Sequence, residues 1–215
     1  TPAPSRGGAI VAAALAGLAA AESLAERAAA LRRGYEAAPP LALASTTHIS
    51  VLDSAGNAAA LSSTLGSGSG VFRGGTQLNN MLGELDVIGR APPPPGRRLP
   101  SMMAPTLVLE HGRPRLALGS AGSVRLAGAI AQVADGVLRG LPVADAIERP
   151  RLHVDGDVLH LEGGIDEPPP TGWTTIAWSG RNLYFGGVAA VERRPDGTLA
   201  AAGDSRRGGH GIVVR

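Results

Sequence analysis

A threonine becomes a competent nucleophile once its own α-amine is free to take the hydroxyl proton. The run Ser45-Thr46-Thr47-His48-Ile49-Ser50-Val51-Leu52-Asp53 places two threonines at the head of a β-branched segment, directly behind an apolar connector containing Pro39-Pro40. The same pair also fits plain β-propensity, so this run alone leaves both readings open. Gly119-Ser120-Ala121-Gly122-Ser123 follows a strand pattern and leads towards a helix. Its small residues either bring backbone N–H groups up to an oxyanion or carboxylate, or form a tight strand-to-helix turn. Gly66-Ser67-Gly68-Ser69-Gly70 is likewise an anion cradle or a flexible loop, and it is neither a dinucleotide fingerprint nor a Walker loop. Ser120, His153 and Asp155 make a hydrolytic triad on paper, without the local Gly-x-Ser-x-Gly elbow that would support it. The histidines His48, His111, His153, His160 and His210 lack metal-ligand spacing, so no metal site and no cofactor is expected.

Elements must hold these groups in place. The apolar stretch Ala9–Ala21 is too short to span a bilayer, and it continues through Leu24, Ala25 and Leu31 with Glu22, Glu26, Arg27 and Arg32 interspersed. That pattern predicts one buried-to-amphipathic helix rather than a signal-peptide core, ending at Pro39-Pro40. Thr46 to Asp53 and Ala58 to Ser63 predict a hairpin around Ser54-Ala55-Gly56-Asn57, and Pro92-Pro93-Pro94-Pro95 a surface loop. A second hairpin is expected from Thr106 to Glu110 and Arg115 to Leu118. A helix should then open at Ser123, run through Leu126, Ile130, Val133 and Val137, and stop at Gly140. A short helix at Ala144 to Glu148 and strands near Val154, Val158 to Leu161, Gly187 to Glu192 and Leu199 to Ala202 complete a layered sheet protein.

Composition narrows the function. The chain has 215 residues, 44% of them hydrophobic, enough for a sizeable core, and only 3% aromatic, which argues against base-stacking platforms. It has no lysine, so its 20 cationic side chains are all arginine and its basic character reflects arginine chemistry rather than excess charge. The formal net charge is only +2. Nucleic-acid binding is not expected, and Arg97-Arg98, Arg193-Arg194 and Arg206-Arg207 read as solvated loop pairs. The absence of cysteine removes disulfides, thiolate-bound zinc and thiol catalysis.

Five blocks taken together resemble the γ-glutamyltransferase (γ-glutamyltranspeptidase) family, in the family's order. They are Thr46 to Asp53, Leu78-Asn79-Asn80-Met81-Leu82-Gly83-Glu84, Pro100-Ser101-Met102-Met103-Ala104-Pro105-Thr106, Gly119 to Ser123, and Gly203-Asp204-Ser205-Arg206-Arg207-Gly208-Gly209. The resemblance implies an α+β, N-terminal-nucleophile (Ntn) hydrolase fold, a four-layer αββα sandwich of two antiparallel sheets between helical layers. Residues 1–45 would be a remnant of the end of the large subunit and 46–215 the small-subunit-like catalytic domain. Most of the large subunit, a partner in that family, would lie outside this chain.

The resemblance further implies a precursor that cuts itself between Ser45 and Thr46, leaving Thr46 as both nucleophile and base. A γ-glutamyl donor such as glutathione would form a threonine ester, and water or an amino acid would accept the acyl group. Thr64 would hydrogen-bond the nucleophile, and the backbone N–H groups of Gly122 and Ser123 would form the oxyanion hole. Glu84 would hold the donor's α-ammonium with Asn80 beside it, and Ser101 its α-carboxylate. Departures fall on recognition: Met81 and Gly66 stand where polar side chains are usual, and Pro100 replaces one of a serine pair. Two alternatives follow, a silent homologue or binding module that keeps the fold, and a related amide hydrolase with another acyl donor.

Overall fold

Ser23 and Glu26 divide the N-terminal segment in two. The Ser23 hydroxyl accepts the Glu26 N–H at 3.3 Å and the Glu26 carboxylate accepts the Ser23 N–H at 2.9 Å, a reciprocal cap that starts a new helix. The single long helix expected from the alanine pattern is therefore two, α1 (Gly7–Leu18) and α2 (Leu24–Ala37). The computed structural model describes residues 5–38, 45–88 and 93–214. The expected breaks at Pro39-Pro40 and Pro92, and the connector that leads to Ser45, lie outside the described residues.

The strands form two stacked antiparallel layers. A four-stranded sheet runs in the order β11 (Leu199–Gly203), β10 (Gly187–Arg193), β6 (Arg113–Ala121) and β5 (Thr106–Glu110). On one face of it lies the hairpin of β1 (Ser45–Leu52) and β2 (Ala58–Gly66). The other face is covered by α4 (Leu126–Leu138) and α5 (Val143–Glu148), with α1 packed on α4 and α2 on α1. Covered on both sides, Leu116 to Ser120 of β6 are all buried, whereas β10 alternates buried and half-buried positions.

One hydrophobic core joins Ile10, Ala14 and Leu18 of α1 with Leu31 of α2, Ile130 and Val133 of α4, and Leu116 and Leu118 of β6. The fold is thus an α+β stack of helices, sheet and second sheet. The outer face of β1 and β2 carries Ile49, Val51 and Leu61 at 57%, 51% and 62% exposure, with no helix of the described residues across it.

Smaller elements complete the chain. A miniature hairpin, β3 (Phe72–Arg73) with β4 (Thr76–Gln77), precedes α3 (Leu85–Ile88). Next to α2 lies a sheet of β7 (Leu152–Asp155), β8 (Val158–Leu161) and β9 (Thr174–Ala177), the last pair parallel.

Ser123 does not open the long helix as expected. Gly122 (φ 140) and Ser123 (φ 57) lie outside helical space, a 3₁₀ turn at Ser123–Arg125 intervenes, and α4 begins only at Leu126. Arg206, expected as a loop charge, is buried in the ion network described below. Among the described residues no helix is long and apolar enough to cross a membrane.

Candidate functional site

β1 and β2 position the threonine pair. Thr46 stands opposite Thr64, and the ladder slips between Thr46 and Ser45, which pairs with Gly66 and passes over Leu65. Such a slip disrupts regular pairing and re-aims the backbone, here at the Ser45–Thr46 peptide. Gly66 donates its N–H to Thr64 Oγ1 at 3.1 Å, so the second threonine secures the irregular stretch.

Thr46 shares its strand face with His48, two residues on, and that face is turned towards the four-stranded sheet. Thr46 Oγ1 is buried there and has no hydrogen-bond partner. Thr46, Thr47 and His48 line a cavity of about 280 Å³ with Ala121 of β6, Gly187 of β10, and Arg207 and Gly209 beyond β11. The His48 ring bridges two serines, Nδ1 to Ser62 Oγ and Nε2 to Ser50 Oγ, each at 2.8 Å. Burial pushes its pKa down to about 4, so it is a neutral structural bridge at neutral pH.

The turn after β6 is built by close backbone approach. Gly122 has φ 140, and a Cβ there would stand 2.7 Å from Gly186 Cα. Arg125 closes the turn by donating its N–H to the Gly122 carbonyl at 3.1 Å. The 3₁₀ segment Leu183–Phe185 leads into Gly186, and the Arg125 guanidinium lies 4.4 Å from the Tyr184 ring centroid.

A buried ion network holds the opposite side of this turn. Arg151 donates to the Phe185 carbonyl at 3.2 Å and to Asp204 Oδ2 at 2.6 Å. Arg206 pairs with Glu162 at 2.6 Å and Asp204 at 3.1 Å, and Asp204 also accepts the Val188 N–H at 3.0 Å. Burial would raise the Asp204 carboxyl, but Arg151, the Val188 N–H and Arg206 outweigh it and hold it below the ordinary range. The only foretaste of this network in the sequence is the block Gly203 to Gly209; its partners lie too far away along the chain for any local pattern to reveal them.

The residues assigned to substrate recognition are only partly gathered. Glu84 accepts from Ser67 Oγ at 2.8 Å and from the Ser67 N–H at 3.0 Å, and these bonds lower its pKa. A Cβ on Gly66 would fall 2.4 Å from Asn80 Oδ1, 2.9 Å from Glu84 Oε1 and 3.3 Å from Met81 Sδ, so all three crowd the backbone next to the slipped ladder. Asn80 Oδ1 is buried without a hydrogen-bond partner. Ser101 sits elsewhere, at the start of α1: its carbonyl accepts the Arg6 N–H at 2.9 Å and its hydroxyl accepts the Met103 N–H at 3.0 Å. It is not among the residues lining the Thr46 cavity.

The paper triad does not assemble. Ser120 Oγ donates to the Ala121 carbonyl at 2.9 Å, while His153 Nδ1 lies 3.3 Å from the Tyr35 hydroxyl in an aromatic box with His160 and Tyr184. Burial pushes the His153 pKa down to about 3.

Two stacked antiparallel sheets, with helices packed on the outer face of the four-stranded one, define an Ntn-hydrolase fold. The chain belongs to the Gamma-glutamyltranspeptidase family, which it matches over residues 5–214. It is 32% identical over 185 residues to an acylase ACY 1 proenzyme of a Pseudomonas species (strain SE83), covering 80% of this chain and 32% of that protein. It is 31% identical over 189 residues to the glutathione hydrolase proenzyme of Escherichia coli K12, covering 75% of this chain and 31% of that protein. Among solved structures, γ-glutamyltranspeptidase from Pseudomonas nitroreducens complexed with L-DON superposes with a TM-score of 0.63 at 28% identity. That match covers 79% of this chain and 100% of the other. The chain spans about a third of the length of the curated relatives it matches.

Proposed function

We propose that this chain carries the catalytic half of a γ-glutamyltransferase that cuts itself at the Ser45–Thr46 bond. Residues 1–45 correspond in this reading to the end of the large subunit and 46–215 to the small one. The observation that carries it is the buried, unpartnered Thr46 hydroxyl beside a slipped strand ladder and above a cavity. Thr46 Oγ attacks the Ser45 carbonyl carbon, the C–N bond breaks with its proton returned to the departing nitrogen, and the resulting ester is hydrolysed by water. The freed α-amine, with an ordinary pKa of about 7.7–8.0, is suited to take the hydroxyl proton near neutral pH.

In turnover the same oxygen attacks the γ-glutamyl amide. The leaving amine departs with the proton, and water or an amino acid attacks the ester. Thr64 steadies the nucleophile, the Gly122 and Ser123 N–H groups take the oxyanion, and Glu84 and Asn80 take the α-ammonium, whereas Ser101, held at the start of α1, is left without a role here. The chemistry calls for no cofactor. The glutathione hydrolase among the relatives supports glutathione as a donor. The exposed Ile49, Val51 and Leu61 support a large-subunit partner over the hairpin.

A second reading is supported by the Met81 thioether beside Gly66 and by the acylase relative: an amide hydrolase whose acyl donor is less polar than a glutamyl group. Intact-mass analysis tests the first step of both. Loss of the residues before Thr46, abolished in Thr46→Ala, is expected, and a γ-glutamyl anilide compared with aliphatic and aryl acyl amides separates the two donors. A stable uncut chain that turns over none of these is the silent homologue, and overturns both.

A further inference from the structure

Ser123 holds a backbone conformation, φ 57, that a residue other than glycine keeps only where its surroundings impose it. Two contacts flank it, and one short segment supplies both. On one side, a Cβ added to Gly122 would fall 2.7 Å from Gly186 Cα, and one added to Gly186 would fall 3.0 Å from the Ala121 carbonyl oxygen. On the other side, the Arg125 guanidinium lies 4.4 Å from the centroid of the Tyr184 ring. Tyr184 belongs to the 3₁₀ segment Leu183–Phe185, and Gly186 caps it.

The ring is what Arg125 rests on. Among the described residues Arg125 makes no ion pair, and its Nε is buried without a hydrogen-bond partner. The ring itself is fixed by its neighbours. Trp178 stacks on Tyr184 with centroids 4.7 Å apart and planes 24° apart, His160 lies 4.9 Å away, and Phe185 meets the ring edge-on at 5.2 Å. Trp178 is in turn tied to β8, donating its backbone N–H to the Leu161 carbonyl at 2.9 Å and its indole N–H to His160 Nδ1 at 3.4 Å. Arg125 and Tyr184 are both half-buried. A guanidinium over a held aromatic face, partly removed from water, is attracted strongly enough to pin a short turn.

We infer that Tyr184 is a positioning residue for acyl transfer: through Arg125 it fixes the Gly122–Ser123 turn, so that the two N–H groups are aimed before charge develops on the substrate. The inference rests on the reading of that turn as the oxyanion hole. Preorganised donors favour the transition state because nothing need reorganise as the oxyanion forms, so a turn released from Tyr184 loses kcat and keeps its KM. The sheet of β7, β8 and β9 lines no part of the Thr46 cavity, and by this route it still bears on the chemistry.

The test compares Tyr184→Leu, which removes the ring, with Tyr184→Phe, which keeps its face. In the Thr46→Ala chain, which cannot turn over, NMR-detected hydrogen exchange follows the Arg125 and Leu126 amides, which close the turn on the Gly122 and Ser123 carbonyls. Tyr184→Leu and Arg125→Met should each speed their exchange about tenfold, the worth of the lost contact, while the amides of α2 keep their rates. In the chain with Thr46, Tyr184→Leu should lower kcat for a γ-glutamyl anilide about tenfold at constant KM. Tyr184→Phe should recover most of the protection and most of the rate. Unchanged exchange at Arg125 and Leu126, or exchange that quickens throughout the chain alike, overturns the inference. So does an unchanged kcat in Tyr184→Leu where Gly122→Ala is slow, an outcome that leaves the oxyanion reading standing. If Gly122→Ala is also as fast as wild type, or wild type turns over nothing, that reading falls and takes the inference with it.

Discussion

The His48 imidazole lies against the backbone of Gly119: a Cβ at position 119 would fall 2.3 Å from the ring's Nδ1 and Cε1. This contact sets how closely the hairpin carrying Thr46 approaches the sheet that ends in the Gly122 turn. Gly119→Ala should force the ring and hairpin away and destabilise the protein by about 1–3 kcal/mol, as overpacking does. Urea unfolding of the variant measures the loss. An unchanged midpoint would mean that the hairpin yields freely and does not fix the site.

His48 and His153 should make the fold acid-sensitive. Burial holds both neutral, with pKa values near 4 and 3, whereas the unfolded chain takes up these protons near pH 6.5. The unfolded state binds more protons between those limits, so stability is full above about pH 6.5 and falls as the pH drops towards 4 and then 3. Urea midpoints measured from pH 7.5 to 4.5 should decline, and His153→Gln should flatten part of the slope. A midpoint independent of pH would contradict the burial of both rings.

Much of this architecture is legible in local pattern, and the rest follows from contacts distant in sequence. The hairpin at Thr46, the Thr106 hairpin and the apolar stripe of α4 stand where alternation and helical spacing put them, because each buries one face against a neighbour. The break at Ser23 is also written locally, as Ser-x-x-Glu, but the alanine- and leucine-rich stretches on both sides mask it. Arg206 is different: a pair of adjacent arginines in a glycine-rich block looks solvated until Glu162 and Arg151 are brought around Asp204 and Arg206 from two other segments. At the site, Thr46, Thr64 and Gly66 come together because they share a ladder. Whether Ser101 faces the nucleophile depends on how the α1 end packs, which no spacing encodes.

Asp204 bridges Arg151 and Arg206 at the centre of that network. Asp204→Asn removes the charge while keeping the shape, and leaves two buried guanidiniums to share Glu162. Breaking a buried pair in this way costs about 3–5 kcal/mol. Denaturation of Asp204→Asn should show a loss of this size that added salt does not reduce, since the pair is shielded from solvent ions. A loss below that of an ordinary surface substitution would show that the network is dispensable for stability.

Glu84 offers a separable test of donor recognition. Its carboxylate is anchored by Ser67 at the crowded Gly66 backbone, and the bonds that lower its pKa keep it anionic at neutral pH. Glu84→Gln retains the shape and one acceptor and removes the charge. The KM for donors with a free α-ammonium should rise about tenfold, the worth of one charge-assisted contact, with kcat nearly unchanged. Donors lacking that ammonium should be indifferent to the substitution. A fall in kcat at constant KM would place Glu84 in the chemical step instead.

The Gly122 turn makes opposite predictions for adjacent residues. At Gly122 the backbone has φ 140 and lies so near Gly186 that a Cβ would stand 2.7 Å from its Cα, so Gly122→Ala must displace the turn that carries the two N–H groups proposed for the oxyanion. Losing one well-aimed oxyanion donor costs about 10²–10³ in rate, and both self-cleavage and turnover should fall by that order while far-UV circular dichroism stays unchanged. At Ser123 the proposed donor is the main chain, and φ 57 is a conformation glycine adopts more readily than serine. Ser123→Gly should therefore keep its rate within about fivefold, the worth of one side-chain hydrogen bond. A large loss in Ser123→Gly would mean that the serine side chain takes part in the chemistry. Parallel rates in wild type and Gly122→Ala would mean that the oxyanion is held elsewhere.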